Sequence, residues 1–405
     1  MVSRPLWMQV VTGLAVIGVL VALTIANFRF AEQFPGGNDF LGRWMGARFW
    51  VREGISPYDP QVGRASQQLI YGRAVDREAG EDIQDFLYPF PAMVFFAPFG
   101  ALPYTLARAI WMTILEVSLP ILALIGIALA DWKPRRAVLV SLLFFSVFWY
   151  HGTRAVIVGQ FAVIEALLMV GALLAIKRGS DPLAGILLGL SIAKPQMAVL
   201  FIPFVLLWAA WARRWPIVVW GVGTITGLLA VSVLLIPDWP VMWLRQLLEH
   251  RTYTYIGSPV EILADAFPSM SGVIAVAMGG ALTLYLFWEW AKAAGKADRW
   301  FQWAAALTIV VTNLVAFRTA TTNYVVLLPA LCLIFSVLTD RWRAKGDVVV
   351  LLAMVALLFG LWGLFLTTIE GNVESSLMYL PVPILTLFGL WWARWWAIRA
   401  IRLSQ

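Results

Sequence analysis

Twelve apolar runs, with basic clusters in every second loop between them, constrain this chain more than any other feature of its sequence. The runs fall near 6–28, 104–129, 137–150, 155–176, 182–193, 196–211, 216–236, 270–291, 301–317, 321–339, 348–368 and 377–398. About 20 apolar residues of helix cross the ~30 Å hydrocarbon core of a bilayer, and in lipid only helices and closed barrels satisfy their own backbone groups. The chain is 61% hydrophobic and 13% charged, so the expected fold is an all-α integral membrane protein of about twelve transmembrane helices. No internal repeat and no soluble domain interrupts residues 1–405, which read as a single polytopic membrane domain. The first run is too long for a signal-peptide core and has no small-residue cleavage site behind it, so it is expected to remain attached.

The charges set the orientation. Lys133, Arg135 and Arg136, then Lys177 and Arg178, Arg213 and Arg214, Lys292, Lys296 and Arg299, Arg341, Arg343 and Lys345, and finally Arg394, Arg399 and Arg402 mark alternate loops. The positive-inside rule places those loops and both termini in the cytosol. Loops 29–86, 151–154, 194–195, 237–258, 318–320 and 370–376 then share the extracytosolic face, provided that 86–103 enters and leaves on one side. The 22 tryptophans, many at loop boundaries, fit the two interfacial belts. The net charge of +7 lies in these punctuating clusters, which argues against nucleic acid as a partner. Cys332 is the single cysteine, so no intrachain disulfide forms.

The first extracytosolic loop is the wettest stretch. Pro35-Gly36-Gly37 breaks the preceding span, Asn38 is a good N-cap, and a helix is expected from Asp39 to Gly54. Phe40, Trp44, Ala47 and Val51 form one apolar stripe while Arg43, Arg48 and Arg52 crowd the other sides, the pattern of a helix lying on a membrane surface. A second helix is expected from Pro60 behind Asp59, and Asp76, Glu78, Glu81, Asp82 and Asp85 read as a solvated acidic run.

Polar groups within or beside spans are costly and call for a partner or a function. They accumulate on the extracytosolic side: Asp39, Tyr88, His151, Arg154, Gln160, Glu165, Lys194, Arg318 and Asn323, with Arg251, Tyr253 and Tyr255 in the second large loop. Each has a plain structural reading. Asp39 complements a helix dipole, Lys194 snorkels to the interface, Gln160 bonds a neighbouring helix, and Glu165 pairs with an intramembrane cation. His151 and His250 lack ligand spacing, so no metal is expected, and no P-loop, dinucleotide fingerprint or nucleophile motif occurs.

Taken in order, an acidic residue in the first external loop, the G-x-x-x-Y-D of Gly54 to Asp59, the Tyr-Pro-x-Pro of Tyr88 to Pro91, Gly159-Gln160, and a Gly-rich hairpin ending in Lys194-Pro195 resemble the GT-C glycosyltransferases. The order and spacing are most similar to glycosyltransferase family 87, the polyprenyl-phosphate-mannose-dependent α-mannosyltransferases of bacterial envelopes. The motifs cover the first half of the chain. The resemblance implies a multi-pass protein of the bacterial inner membrane that moves a sugar, mannose foremost, from a polyprenyl-phosphate donor to a lipid or glycan acceptor hydroxyl on the extracytosolic face. It implies Asp39 as general base, Lys194 and Arg318 at the donor phosphate, Arg43, Tyr88, Gln160 and Asn323 at the substrates, membrane lipids as surroundings, and no cofactor. One departure stands out: the histidines that the family often carries late in the chain are replaced by the stretch from Phe317 to Tyr324, where Arg318 or Asn323 substitutes. A transporter or flippase of lipid-linked sugars, and an inactive sugar-lipid scaffold, are the competing readings; a transporter favours two similar halves, and these halves differ. A cysteine introduced into the first loop is expected to react with an impermeant reagent in intact cells, and labelling only after lysis would invert this topology.

Overall fold

The computed structural model describes residues 5–36, 38–76, 81, 83–253, 257–296, 298–316, 320–371 and 374–399. Among them there is no β-strand, and the twelve apolar runs are helical. Seven helices are long and apolar enough to cross a membrane: α1 (Leu6–Gln33), α5 (Tyr104–Leu129), α12 (Trp215–Leu235), α15 (Ser271–Ala293), the stretch Thr321–Trp342 that ends in α17 (Leu328–Trp342), α18 (Ala344–Thr368), and Ser376–Ala397, which holds α19 (Pro381–Ala397). An eighth is made of α6 (Arg136–Phe148) and α7 (Tyr150–Val158), bent by 43°.

The difference from twelve full spans lies in the interior of the bundle. Helix α8 (Ala162–Lys177), α9 (Asp181–Leu190) and α11 (Phe201–Trp211) are short. Most of α8 is buried against protein, so its ends meet other helices, where no match to the hydrocarbon thickness is demanded. Helix α16 (Asp298–Val315) is likewise buried along most of its length from Phe301 to Leu314.

The bend between α6 and α7 has a local cause. Trp149 adopts an extended backbone (φ −64°, ψ 156°), which frees carbonyls of the preceding turn. The Thr153 hydroxyl donates to Val147 O at 2.9 Å and satisfies one of them. Gly152 allows the approach, since a Cβ there would lie 2.5 Å from Ser146 O.

Side-chain contacts group several of the loops at two ends, as the charges do, although 151–154, expected as a loop, lies within α7. At one end, Lys177 bonds Asp131 at 2.7 Å, Arg214 pairs with Asp181, Arg135 with Asp347 at 3.1 Å, and Trp132 donates to Thr339 at 2.8 Å. At the other, Tyr104 donates to Gly36 O at 2.7 Å, Trp243 to Leu87 O at 3.1 Å, and Gln246 to Tyr58 O at 3.3 Å. Helix α4 (Met93–Gly100) belongs to this second end. Its eight residues rise only about 12 Å, and Trp44 donates to Leu102 O behind it at 3.1 Å. Residues 86–103 therefore enter and leave on one side.

The first loop corrects one expectation. Helix α2 (Asn38–Glu53) and α3 (Pro60–Tyr71, capped by Asp59 accepting from Gln61 N) form as expected. Helix α2, however, is not a surface helix with one covered stripe. Phe40, Leu41, Trp44, Met45 and Ala47 are all buried, while Val51 is exposed. Helix α4 and the segment 83–88 cover it from two sides, and Phe40 stacks on Trp111 of α5 at 5.3 Å. The acidic run is also partly structured: Glu81 is bound by Arg73 through two hydrogen bonds of 2.8 and 2.7 Å, with Glu78 and Asp82 outside the described residues.

Gly100 sits where α4 crosses α2, and a Cβ there would meet Ala47 C and O at 2.6 Å. Gly100→Ala is expected to lower stability by about 1–3 kcal/mol through overpacking. Gly279→Ala, mid-helix in α15 and facing open space, should not lower it and is expected to raise it by up to about 1 kcal/mol through helix propensity. Thermal unfolding of the two purified variants checks this.

Candidate active site

Five breaks in regular structure aim polar side chains at one point. Asp39 lies in the first turn of α2, directly after the break at the end of α1. Tyr88 precedes Pro89, and Lys194 precedes Pro195, and a residue before proline is driven out of the α region. Lys194 accordingly takes φ −131°, ψ 75° between the 3₁₀ turn Ser191–Ala193 and α10 (Pro195–Ala198). Gln160 follows Gly159, whose φ of +70° ends α7. The carbonyls exposed by that ending are taken up by α5: Trp111 donates to Gly159 O at 2.9 Å and Arg108 to Ile157 O at 3.2 Å. Asn323 is held in the buried 3₁₀ segment Thr321–Leu327.

These residues form one network. Arg43 donates to Asp39 Oδ1 at 3.0 Å, and Gln160 Nε2 donates to Asp39 Oδ2 at 3.1 Å. Gln160 Oε1 accepts from the Tyr88 hydroxyl at 3.1 Å and from Lys194 Nζ at 2.8 Å. Lys194 also donates to Asn323 Oδ1 at 2.6 Å. An ammonium only donates, so the Gln160 oxygen must face Lys194 and its amide nitrogen must face the carboxylate. The Arg43 guanidinium lies 4.7 Å from the centroid of the Tyr88 ring.

Lys194, Gln160, Tyr88 and Asn323 are 1–4% exposed, whereas the Asp39 side chain is 36% exposed. The cluster is thus a buried cation and its amide partners, open to the outside at a carboxylate. Burial pushes the Tyr88 phenol up to about 12, so it remains a donor at neutral pH. Burial opposes the charge of Arg43, but Tyr88 and Asp39 together hold it above its ordinary value.

Six of the seven site residues read from the sequence therefore lie in one network. The seventh, Arg318, is outside the described residues, as are Tyr255 and the side chains of Arg251 and Tyr253. Glu165 is fully buried within electrostatic reach of Lys194, and neither oxygen makes a hydrogen bond to a described residue. His151 is buried among Trp149, Tyr150 and Tyr324, its ring edge-on to each of them.

Sequence reasoning missed Glu374. It accepts from the Tyr150 hydroxyl and from Thr321 at 2.7 and 2.9 Å, so the loop between α18 and α19 grips the segment that carries Asn323. An acid in a short loop between two spans, with Glu370 beside it, carries no signal beyond its polarity.

The fold and this cluster define a helical membrane protein with a carboxylate and a buried cation joined at one end of its bundle. Residues 86–317, more than half of the chain, match the model of glycosyltransferase family 87. The chain belongs to that family and is a membrane glycosyltransferase, all-helical as expected of the GT-C class. The matched stretch includes Tyr88, Gln160 and Lys194 and leaves Asp39 and Asn323 on either side. No curated protein and no solved structure matches the chain.

Burial raises the Glu374 carboxyl above its ordinary value of 4.5, with Tyr150, Thr321 and Arg154 opposing that rise. A raised carboxyl pKa means that the folded state favours the protonated form, so wild-type stability at this site falls as pH rises through the folded value. Glu374→Gln is expected to stabilise the protein at neutral pH, with the gain shrinking as pH falls toward 4.5. Melting curves across that range check the sign.

Proposed function

We propose that this glycosyltransferase moves a sugar, mannose foremost, from a polyprenyl phosphate to an acceptor hydroxyl on the extracytosolic face of a bacterial inner membrane. The observation that carries this reading is the single amide, Gln160, that bonds both the Asp39 carboxylate and the Lys194 ammonium. A transfer of this kind needs a base and an anion-stabilising cation at a fixed separation, and Gln160 couples their positions.

In the proposed step the acceptor O–H gives its proton to Asp39 while its oxygen attacks the anomeric carbon. The bond from that carbon to the phosphate oxygen breaks, and its electron pair leaves with the polyprenyl phosphate. Asp39, the exposed member, meets the acceptor. Lys194 has three donors, two of which are used by described residues. The third is available to the leaving phosphate, where charge develops. Asn323 orients the ammonium, Arg43 holds the carboxylate in place, and Arg318 is assigned to the same phosphate. The lysine takes the charge-stabilising role without a cofactor or a divalent metal.

Incubation of the purified protein with radiolabelled polyprenyl-phosphate sugars and membrane lipid extract tests this. Asp39→Asn, which keeps the shape of the side chain, is expected to lower transfer by at least about 100-fold with the protein still folded. Lys194→Ala is expected to weaken donor use. Intact turnover by folded Asp39→Asn removes the base assignment, and failure of the wild type to consume any donor favours a flippase or scaffold.

A further inference from the structure

A sizeable cavity lies at the other end of the bundle from Asp39. It has a volume of about 920 Å³ and opens between the C-terminal ends of α5, α17 and α19 and the start of α16. Three arginines from three different helix ends line it: Arg299, Arg341 and Arg399. Indole rings hold two of them, with Arg341 4.1 Å from the centroid of Trp396 and Arg399 over Trp395. Arg299 donates to Arg399 O at 2.8 Å, which ties the α16 side of the cavity to the α19 side.

Two features separate this place from the other basic clusters. The first is its charge balance. Arg135, Lys177, Arg214 and Arg394 are each in an ion pair with a carboxylate, whereas none of the three cavity arginines is in such a pair among the described residues. Of the two aspartates on the wall, Asp131 is bound by Lys177 at 2.7 Å and Asp340 faces Arg299. The second is Gln302 of α16, a half-buried amide lining the cavity with no hydrogen-bond partner among the described residues. Its amide offers a donor and an acceptor to a polar ligand in the cavity.

The surroundings set the ligand class. Exposed indoles of Trp342, Trp392 and Trp395 flank the opening, which puts it at headgroup depth. Beside Gln302 lies a second, much smaller apolar pocket of about 20 Å³, lined by Leu173, Ile309 and Leu333. Stacked guanidinium groups keep their N–H edges free for the oxygens of a phosphate. We infer that this cavity binds the phosphate headgroup of an anionic phospholipid from the leaflet at the basic end. The ligand chemistry is a phosphate monoanion, and the indole rim favours a lipid over a free ion. This inference is independent of the sugar-transfer reading.

The test uses the full chain in detergent, with phosphatidylglycerol, phosphatidylcholine or inorganic phosphate added. Phosphatidylglycerol is expected to raise the melting midpoint by about 2–4 °C, with phosphatidylcholine giving no comparable rise. Arg299→Gln/Arg341→Gln/Arg399→Gln should lose the rise. A control that neutralises three other basic residues of the same end, Lys133→Gln/Arg136→Gln/Arg178→Gln, should keep it. Equal rises with both lipids, or equal losses in the two triple variants, would overturn the site, and an equal rise with inorganic phosphate would replace the lipid by a free anion. Where the cavity triple does not fold, Arg341→Gln alone and the wild-type comparison of the two lipids decide.

Discussion

The site is organised by an ammonium group that a helix bundle keeps away from water. Lys194 is 2% exposed, and a cation so placed is costly unless oxygens surround it. Two amide oxygens bond it, from Gln160 and Asn323, and the Glu165 carboxylate lies within electrostatic reach. Those two amides belong to segments 163 residues apart, and each sits where helix is interrupted. The interruptions in turn depend on α5, whose Trp111 and Arg108 take the carbonyls freed at the end of α7. The bundle tolerates irregular backbone here because its polar groups are answered by protein.

The aromatic packing around this point explains how an exposed carboxylate is held. Tyr88, Phe96, Trp111 and Phe161 contact one another at 5.4–6.3 Å between ring centroids. Phe40, one residue after Asp39, stacks on Trp111 within the same group. The first loop is therefore seated on the transmembrane core through α2, so that Asp39 and Lys194 are fixed relative to each other. Chemistry that depends on a fixed separation gains from such seating, because little conformational freedom remains to be lost.

The two ends of the bundle use charge differently. At the basic end four cations form ion pairs that join different elements, such as Arg214 with Asp181 and Arg394 with Glu289. At the opposite end Lys194 rests on amides, which bond a cation without cancelling its charge.

The sequence by itself determined the all-helical membrane class, the two sets of loops and the identities of Asp39, Arg43, Tyr88, Gln160, Lys194 and Asn323. Those were legible because hydrophobic length, alternating basic loops and polar groups beside spans are local properties with a large energetic cost behind them. Tertiary structure alone decided that α2 is buried rather than laid on a surface, that α8, α9 and α11 are short interior helices, and that Glu374 grips the Asn323 segment. It also brought Arg299, Arg341 and Arg399 around one cavity. Each of these depends on which helices become neighbours, and an apolar residue reads the same in sequence whether lipid or another helix covers it.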